Sequence, residues 1–344
     1  MSKRYGRLLF ALAAALSLAA WLPRALAQES FYKGKTIRII VGFSAGGGYD
    51  TYSRLIARHM TNHIPGNPTI VVENMAGAGS LIAANHVFKV AKPDGLTIGH
   101  FIGGLFMLQL LGKPGVEFDA RSFEYLGVPA QDNYVVGLSR ASGIAGMGKW
   151  MAASKTPLKL GGLAPGVATD DITNVLKTAL GLPIQLVSGY KGMADIRLAF
   201  NSGEVLGVVN AWESFKSTWS KELESGDLNV VLQVLPKPHP DLPKVPLAVD
   251  FAKTEEMKKL IDVAGHGIGR TARPYVLPPG TPKDRVQIMR KAFMDTMTDP
   301  EFLAEAKKAR LDIFPADGSE LERNVKKIFE LEPALIVKLK DVLK

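Results

Sequence analysis

The chain has 344 residues, 47% hydrophobic and 22% charged, an ordinary globular composition with length enough for two domains. It contains no cysteine, which excludes disulfides, thiolate metal sites and cysteine nucleophiles. The formal charge of +9 falls to about +5 without Lys3, Arg4, Arg7 and Arg24, and no basic–aromatic stripe accompanies it, which argues against a nucleic-acid partner.

Residues 1–27 read as a secretory signal peptide. Lys3, Arg4 and Arg7 form the basic start, Leu8 to Leu22 the apolar run, and Ala25-Leu26-Ala27 an A-x-A cleavage site. The mature chain is expected to begin at Gln28. No later segment approaches the ~18 apolar residues of a membrane span.

Strands then alternate with helices. A buried strand is predicted at 36–41 and an amphipathic helix at 49–62, with Tyr52, Leu55, Ile56 and His59 on one stripe. A strand at 69–73, a helix at 81–91 and a strand at 96–99 follow. A second block opens near Val128, with strands at 134–138, 158–160, 185–187 and 205–209. Its helices fall at 148–154, 172–180 and 193–201, the middle one closed by Gly181. A proline-rich connection covers 235–246. Closing helices fall at 288–297, 301–310 and 321–331. The alternation predicts an α/β fold with largely parallel sheets.

One element recurs: a strand feeds a glycine-rich turn that opens a helix. It occurs at 44–49, at 76–80 and at 161–169. Each presents unpaired N–H groups at the positive end of a helix dipole. If the two blocks face each other, the turns converge on one cleft suited to a ligand with carboxylates.

The first turn can be read in other ways. Gly42-Phe43-Ser44-Ala45-Gly46 fits G-x-S-x-G, the nucleophile elbow of a hydrolase. Its context is wrong, because Ser44 follows only about 16 mature residues and no oxyanion loop precedes it. His239 or His266 remains available as a base, so a secreted hydrolase is the competing reading. Gly46-x-Gly48 is followed by Thr51 and lacks the third glycine of a dinucleotide fingerprint. His59 and His63 are four apart on one helix, but no acidic third ligand accompanies them, so no metal and no cofactor are expected.

Four stretches carry a family resemblance: "KTIRIIVGFSAGGGYDTYSRLIARHM", "IVVENMAGAGSLIAANHVFKVAKPDGLTIG", "GYKG" at 189–192 and "LPPGTPKD" at 277–284. They resemble the solute-binding proteins of tripartite tricarboxylate transporters, the Bug family. The resemblance implies a periplasmic, two-domain Venus-flytrap fold, each domain a mixed, mostly parallel sheet flanked by helices. Domain one is expected at 28–127 plus 267–344, and domain two at 128–266. It implies a monomeric receptor without catalytic activity. Such a receptor passes a small organic carboxylate to a large and a small membrane permease subunit, or else serves as a ligand sensor for a signalling partner.

In the resemblance, the loops hold carboxylates through backbone N–H groups. That assigns the site to Phe43, Ser44, Ala45, Gly46, Gly47, Tyr49 and Asp50 in the first turn, and to Ala78, Gly79 and Ser80 in the second. The third turn contributes Ala164, Pro165, Gly166, Thr169 and Asp170. Here the sequence departs from the family's Gly-Ser/Asn-Gly-Ser and Pro-His pattern, as it does at Gly42 and Ala45, where prolines are usual. Asp170 either caps the helix or faces the cleft, where it would repel a second carboxylate and prefer a hydroxyl or amine. Tyr190 in the GYKG turn, Trp212 after a strand, and Arg270 near the return to domain one complete the expected site.

Overall fold

A computed structural model describes residues 31–152 and 156–343. The signal peptide, its cleavage site and the end of the helix read at 148–154 lie outside the described residues.

The first sheet begins with β1 (Thr36–Val41), whose β-branched run is fully buried from Ile39 onward. Its next strands are β2 (Thr69–Asn74), β3 (Thr97–His100) and β4 (Glu124–Val128). The chain then moves to a second sheet built from β5 (Tyr134–Ser139), β6 (Leu158–Gly161), β7 (Ile184–Val187), β8 (Gly207–Ala211) and β9 (Leu228–Gln233). It returns to add β10 (Tyr275–Leu277) and β11 (Ala316–Asp317) to the first sheet. The sheet orders are β11-β4-β10-β3-β1-β2 and β7-β6-β8-β5-β9. In the first, β2, β1 and β3 pair in parallel, and the returning strands pair antiparallel. In the second, β7, β6 and β8 are parallel, with β5 antiparallel between β8 and β9. Parallel pairing thus fills one side of each sheet.

The helices of the first passage are α1 (Gly48–Met60), α2 (Leu81–Lys89) and α3 (Gly104–Leu110). Those beside the second sheet are α4 (Met147–Ala152), α5 (Ala168–Leu180), α6 (Met193–Asn201), α7 (Trp212–Thr218), α8 (Ser220–Glu224) and α9 (Glu255–Asp262). The chain closes with α10 (Lys283–Thr298), α11 (Pro300–Lys308), α12 (Gly318–Ile328) and α13 (Pro333–Val342). The stripe on α1 packs inward as its spacing predicts, with Tyr52, Leu55 and Ile56 essentially unexposed. His59 sits at the edge of that stripe and bonds Glu305 at 2.7 Å, while His63 bonds Asp299 at 2.9 Å. The two histidines therefore serve separate carboxylates on and beside α11. No cluster of metal-ligating side chains occurs among the described residues.

Three elements depart from expectation in ways that shape the site. Helix α5 starts at Ala168, four residues earlier than its apolar stripe suggests, because Asp170 and Asp171 sit favourably in its first turn. Strand β8 lies two residues later than read, which carries Asn210 into the sheet. Helix α3 was not foreseen: its sequence GLFMLQL is apolar all round, so it shows no stripe, and its first five residues are buried.

A large apolar cluster runs through both sheets, from Phe43 and Phe106 to Val209 and Trp219. A second lies on the other face of the first sheet, where Phe293 meets Tyr275 with ring centroids 5.2 Å apart. Phe293 is fully buried, so Phe293→Ala should cost ~3–5 kcal/mol by cavity formation. Denaturant unfolding would show this as a lower midpoint at an unchanged slope; a loss below ~1 kcal/mol would contradict the packing described.

Candidate functional site

The first turn leaves β1 and enters α1 through Gly46, whose φ of +81° is the left-handed conformation that glycine takes without strain. Gly47 is the N-cap and offers no side chain. The carboxylate of Asp50, in the first helical turn, reaches back instead. It accepts the Gly46 N–H at 2.9 Å, the Asn74 amide at 2.9 Å and Arg54 Nε at 2.9 Å. Burial alone would raise its pKa, but these donors outweigh that and hold it below the usual carboxylate range.

The third turn repeats the arrangement. Gly166 has φ +84°, Val167 is an N-cap without a side-chain bond, and the acids follow in the first turn of α5. Asp170 accepts the N–H groups of Leu163 at 2.6 Å and Ala164 at 3.1 Å, and also the hydroxyls of Thr169 and Ser188. Asp171 accepts the Gly166 N–H at 3.0 Å, and its other oxygen has no partner. Asp170 is therefore neither the N-cap nor a group turned to the cleft. It ties its own loop, because its helix position lets it reach the loop's N–H groups directly. Burial pushes the Asp171 pKa up to about 7; the Gly166 N–H opposes this and the charge of Asp170 adds to it.

The two helix N-termini meet across one cavity. Gly47, Gly48 and Tyr49 line it from α1, and Val167, Ala168 and Thr169 line it from α5. By helix geometry their leading N–H groups lack partners in their own turn. Phe43, Ile102, Tyr134, Leu163, Met193 and Val209 supply mostly apolar walls. The space is about 450 Å³ including its mouth.

Four polar residues that sequence reading did not select complete the cavity: Arg273, Asp132, Asn210 and Ser214. Arg273 has no solvent exposure. Its Nε donates to Asp132, its Nη2 donates to Ser214 Oγ at 2.8 Å, and its Nη1 has no partner. The rings of Tyr49 and Tyr52 lie 4.9 and 4.7 Å from the guanidinium carbon. Burial opposes its charge, yet its neighbours together, Asp132 foremost, outweigh burial and raise its pKa further. The Nδ2 of Asn210 is likewise buried without a partner.

Of the sequence-selected residues, Phe43, Gly47, Tyr49 and Thr169 line the cavity. Ala45, Gly46, Ala78 and Pro165 do not. Gly79, with φ +60°, is pressed between the halves, where a Cβ would lie 3.0 Å from that of Ala164. Ser80 is buried and accepts the Ile102 N–H at 3.0 Å, positioning that wall of the cavity. Tyr190 turns to Glu204 at 2.5 Å, and Trp212 donates its indole N–H to Asp241 at 2.9 Å. Arg270 is exposed and lies beside Asn324 and Lys327, away from the cavity. Arg273, three residues on, stands one residue ahead of the buried strand β10, with Pro274 between; that adjacency is the one signal that could have chosen between the two arginines.

Ser44 is half-buried and donates to Asp195 Oδ2 at 3.0 Å across the interface, while its N–H meets the Lys191 carbonyl at 3.4 Å. A Cβ on Gly192 would overlap its hydroxyl. The hydroxyl therefore joins two halves of the molecule and is paired with a carboxylate, not an imidazole.

The family model for the tripartite tricarboxylate transporter family receptor (TctC) matches residues 53–340. A Cupriavidus necator protein described as "UPF0065 protein in gbd 5'region" is 27% identical over 331 residues, covering 95% of this chain and 93% of its own. Among solved structures, the periplasmic binding protein BugD is 21% identical with a TM-score of 0.73, over 90% of this chain and 98% of its own. Rpa4515 of R. palustris with adipate is 21% identical with a TM-score of 0.71, over 90% and 97%. MatC from Rhodopseudomonas palustris with bound malate is 18% identical with a TM-score of 0.70, over 90% and 99%. These likenesses show the two-domain α/β fold of periplasmic binding proteins.

Asp171 and Glu213 both have carboxyl pKa values raised to about 7, chiefly by burial. Each holds its proton more firmly folded than unfolded. Their contribution to stability is fully present below about pH 4 and is lost as pH rises through about 7. The melting temperature should therefore fall between pH 6 and pH 8, and fall less in Asp171→Asn. Thermal melts of the two proteins across that range check this, and parallel curves would contradict it.

Proposed function

The chain belongs to the tripartite tricarboxylate transporter receptor family, and from that premise we propose that it closes around a small carboxylate in the cavity between its sheets. In this reading it hands that solute to the membrane subunits of such a transporter. Export to the periplasm with cleavage after Ala27 belongs to the same proposal. So does a division into 28–127 plus 267–344 and 128–266, with the chain crossings acting as the hinge.

The observation that carries the reading is the pair of buried donors, Arg273 Nη1 and Asn210 Nδ2, that belong to residues lining the cavity and have no acceptor. An acceptor that pairs with a buried donor is favoured by up to roughly 1–3 kcal/mol over leaving that donor dry and unpaired. Arg273 Nη1 lies 3.4 Å from where a Cβ on Gly48 would sit. The free edge of the guanidinium thus stands beside the opening of α1. A carboxylate supplies two acceptors and the matching charge. The relatives solved with adipate and malate support a carboxylate ligand.

The protein catalyses nothing in this reading. Ser44 has Asp195 where a base would have to stand, and its role is to hold the halves together. Ser44→Ala should leave the protein as inert toward simple esters as the unaltered chain; ester hydrolysis by the unaltered chain that this variant abolishes would establish the hydrolase reading instead.

Asn210 provides the sharper test, because its amide nitrogen bonds to nothing in the fold. Asn210→Ala should weaken binding of the best carboxylate by roughly ten- to a hundredfold, the loss of a hydrogen bond to a charged group. The melting temperature without ligand should hardly move. Calorimetric titration of both proteins checks this, and equal affinities would remove the cavity from the function.

A further inference from the structure

We propose that the ligand carries one carboxylate on an apolar body, not two or three carboxylates. This rests on the carboxylate reading above and specifies the ligand class for the same cavity.

The donors on the two sides of the cavity are in different states. Arg273 Nη1, beside the opening of α1, is unspent, and so is Asn210 Nδ2 on β8. On the α5 side, the N–H groups of Leu163, Ala164 and Gly166 already bond the carboxylates of Asp170 and Asp171. The chain has thus placed its own acids on the loop donors that a second ligand carboxylate would need. The N–H groups of Ala168 and Thr169 remain, but two acidic side chains in the same helical turn offset the positive end of that helix.

The charges agree. Arg273 is the one cationic side chain among the described residues lining the cavity, and Asp132 already pairs with it. A first ligand carboxylate can share the free edge of that guanidinium. A second would enter with no cation opposite it and with buried acids behind the far wall. The rest of the lining is largely apolar, with Leu163, Val167, Met193 and Val209 from the second half and Phe43 and Ile102 from the first. An ionised group against such a surface loses its hydration without replacement, whereas a methylene or ring gains by leaving water.

Three pairs of compounds matched in carbon skeleton test this: butyrate against succinate, hexanoate against adipate, and benzoate against terephthalate. Each would be titrated calorimetrically into the purified mature protein. In the pair that binds best, the monocarboxylate should bind at least tenfold more tightly than its dicarboxylate partner. A dicarboxylate that binds as tightly or more tightly overturns this inference and leaves the carboxylate reading standing. If none of the six binds, the carboxylate reading itself falls, and this inference with it.

Asp171→Asn tests the cause. The asparagine can still accept the Gly166 N–H, so the loop keeps its tie. Titrated at pH 8, where Asp171 is ionised, the variant should narrow the monocarboxylate preference at least threefold, by improving the dicarboxylate selectively. An unchanged ratio overturns the assignment of the preference to the buried acids. The comparison within the unaltered protein stands whether or not this variant folds.

Discussion

Arg273 carries its charge with no exposure to solvent, and several distant parts of the chain must assemble to permit that. Desolvating a guanidinium is costly, and the cost is met only when its donors are paired and opposite charge is near. Asp132, on the segment leading into the second sheet, supplies the charge. Ser214, at the start of α7, takes one N–H pair. Tyr49 and Tyr52, on α1, offer ring faces. Arg273 itself sits just before β10, on the chain's return to the first sheet. The guanidinium therefore ties both passages between the sheets to the first helix, and its one unpaired edge faces the cavity. Structural integrity and ligand recognition converge on the same side chain.

The two glycine turns show how this chain keeps such a cavity open to an anion. In each, a glycine with positive φ precedes an N-cap that makes no side-chain bond, and acids in the first helical turn reach back to the loop. Ordinary capping would place a hydroxyl or carboxylate over the leading N–H groups and close them to a ligand. Moving the acid inward to Asp50 and Asp170 stiffens the loop from behind and leaves the front free. The difference between the turns lies in what surrounds the acids. Arg54 neutralises Asp50 and its pKa is lowered. Asp170 has hydroxyl and N–H donors but no cation, lies beside a second acid, and its pKa is raised, chiefly by burial. The same backbone device thus yields one pole that favours an anion and one that does not.

Much of the fold was legible because its signals are local. The run TIRIIV, the glycines after it and the stripe on α1 lie within about 25 residues, and each reports directly on backbone geometry or burial. The convergence of the first and third turns was legible for the same reason, since each strand-turn-helix unit shows itself. What stayed hidden depends on partners far apart in sequence. Arg273 meets Asp132 across 141 residues and Ser214 across 59, and only its place just ahead of β10 sets it apart from Arg270 in the sequence. Trp212 and Tyr190 have the chemistry of ligand-facing residues, but Asp241 and Glu204 claim their polar atoms. Asn210 was missed because the strand was read two residues early, which left its side chain outside the sheet.

The residues that set the distance between the halves are mostly small, and this bears on why the opening motif mimics a hydrolase. Gly48 faces Ser214, Gly104 faces the Gly166 carbonyl, and Gly192 faces Ser44, each so closely that a Cβ would collide. Backbone approach of this kind needs glycine on one side and a short side chain on the other. A serine between glycines at the end of a strand satisfies that steric demand and adds one hydrogen bond to Asp195. The G-x-S-x-G pattern therefore arises here from close packing across an interface. The hydroxyl that would be a nucleophile in another setting is spent on joining the two halves around the cavity that Arg273 charges.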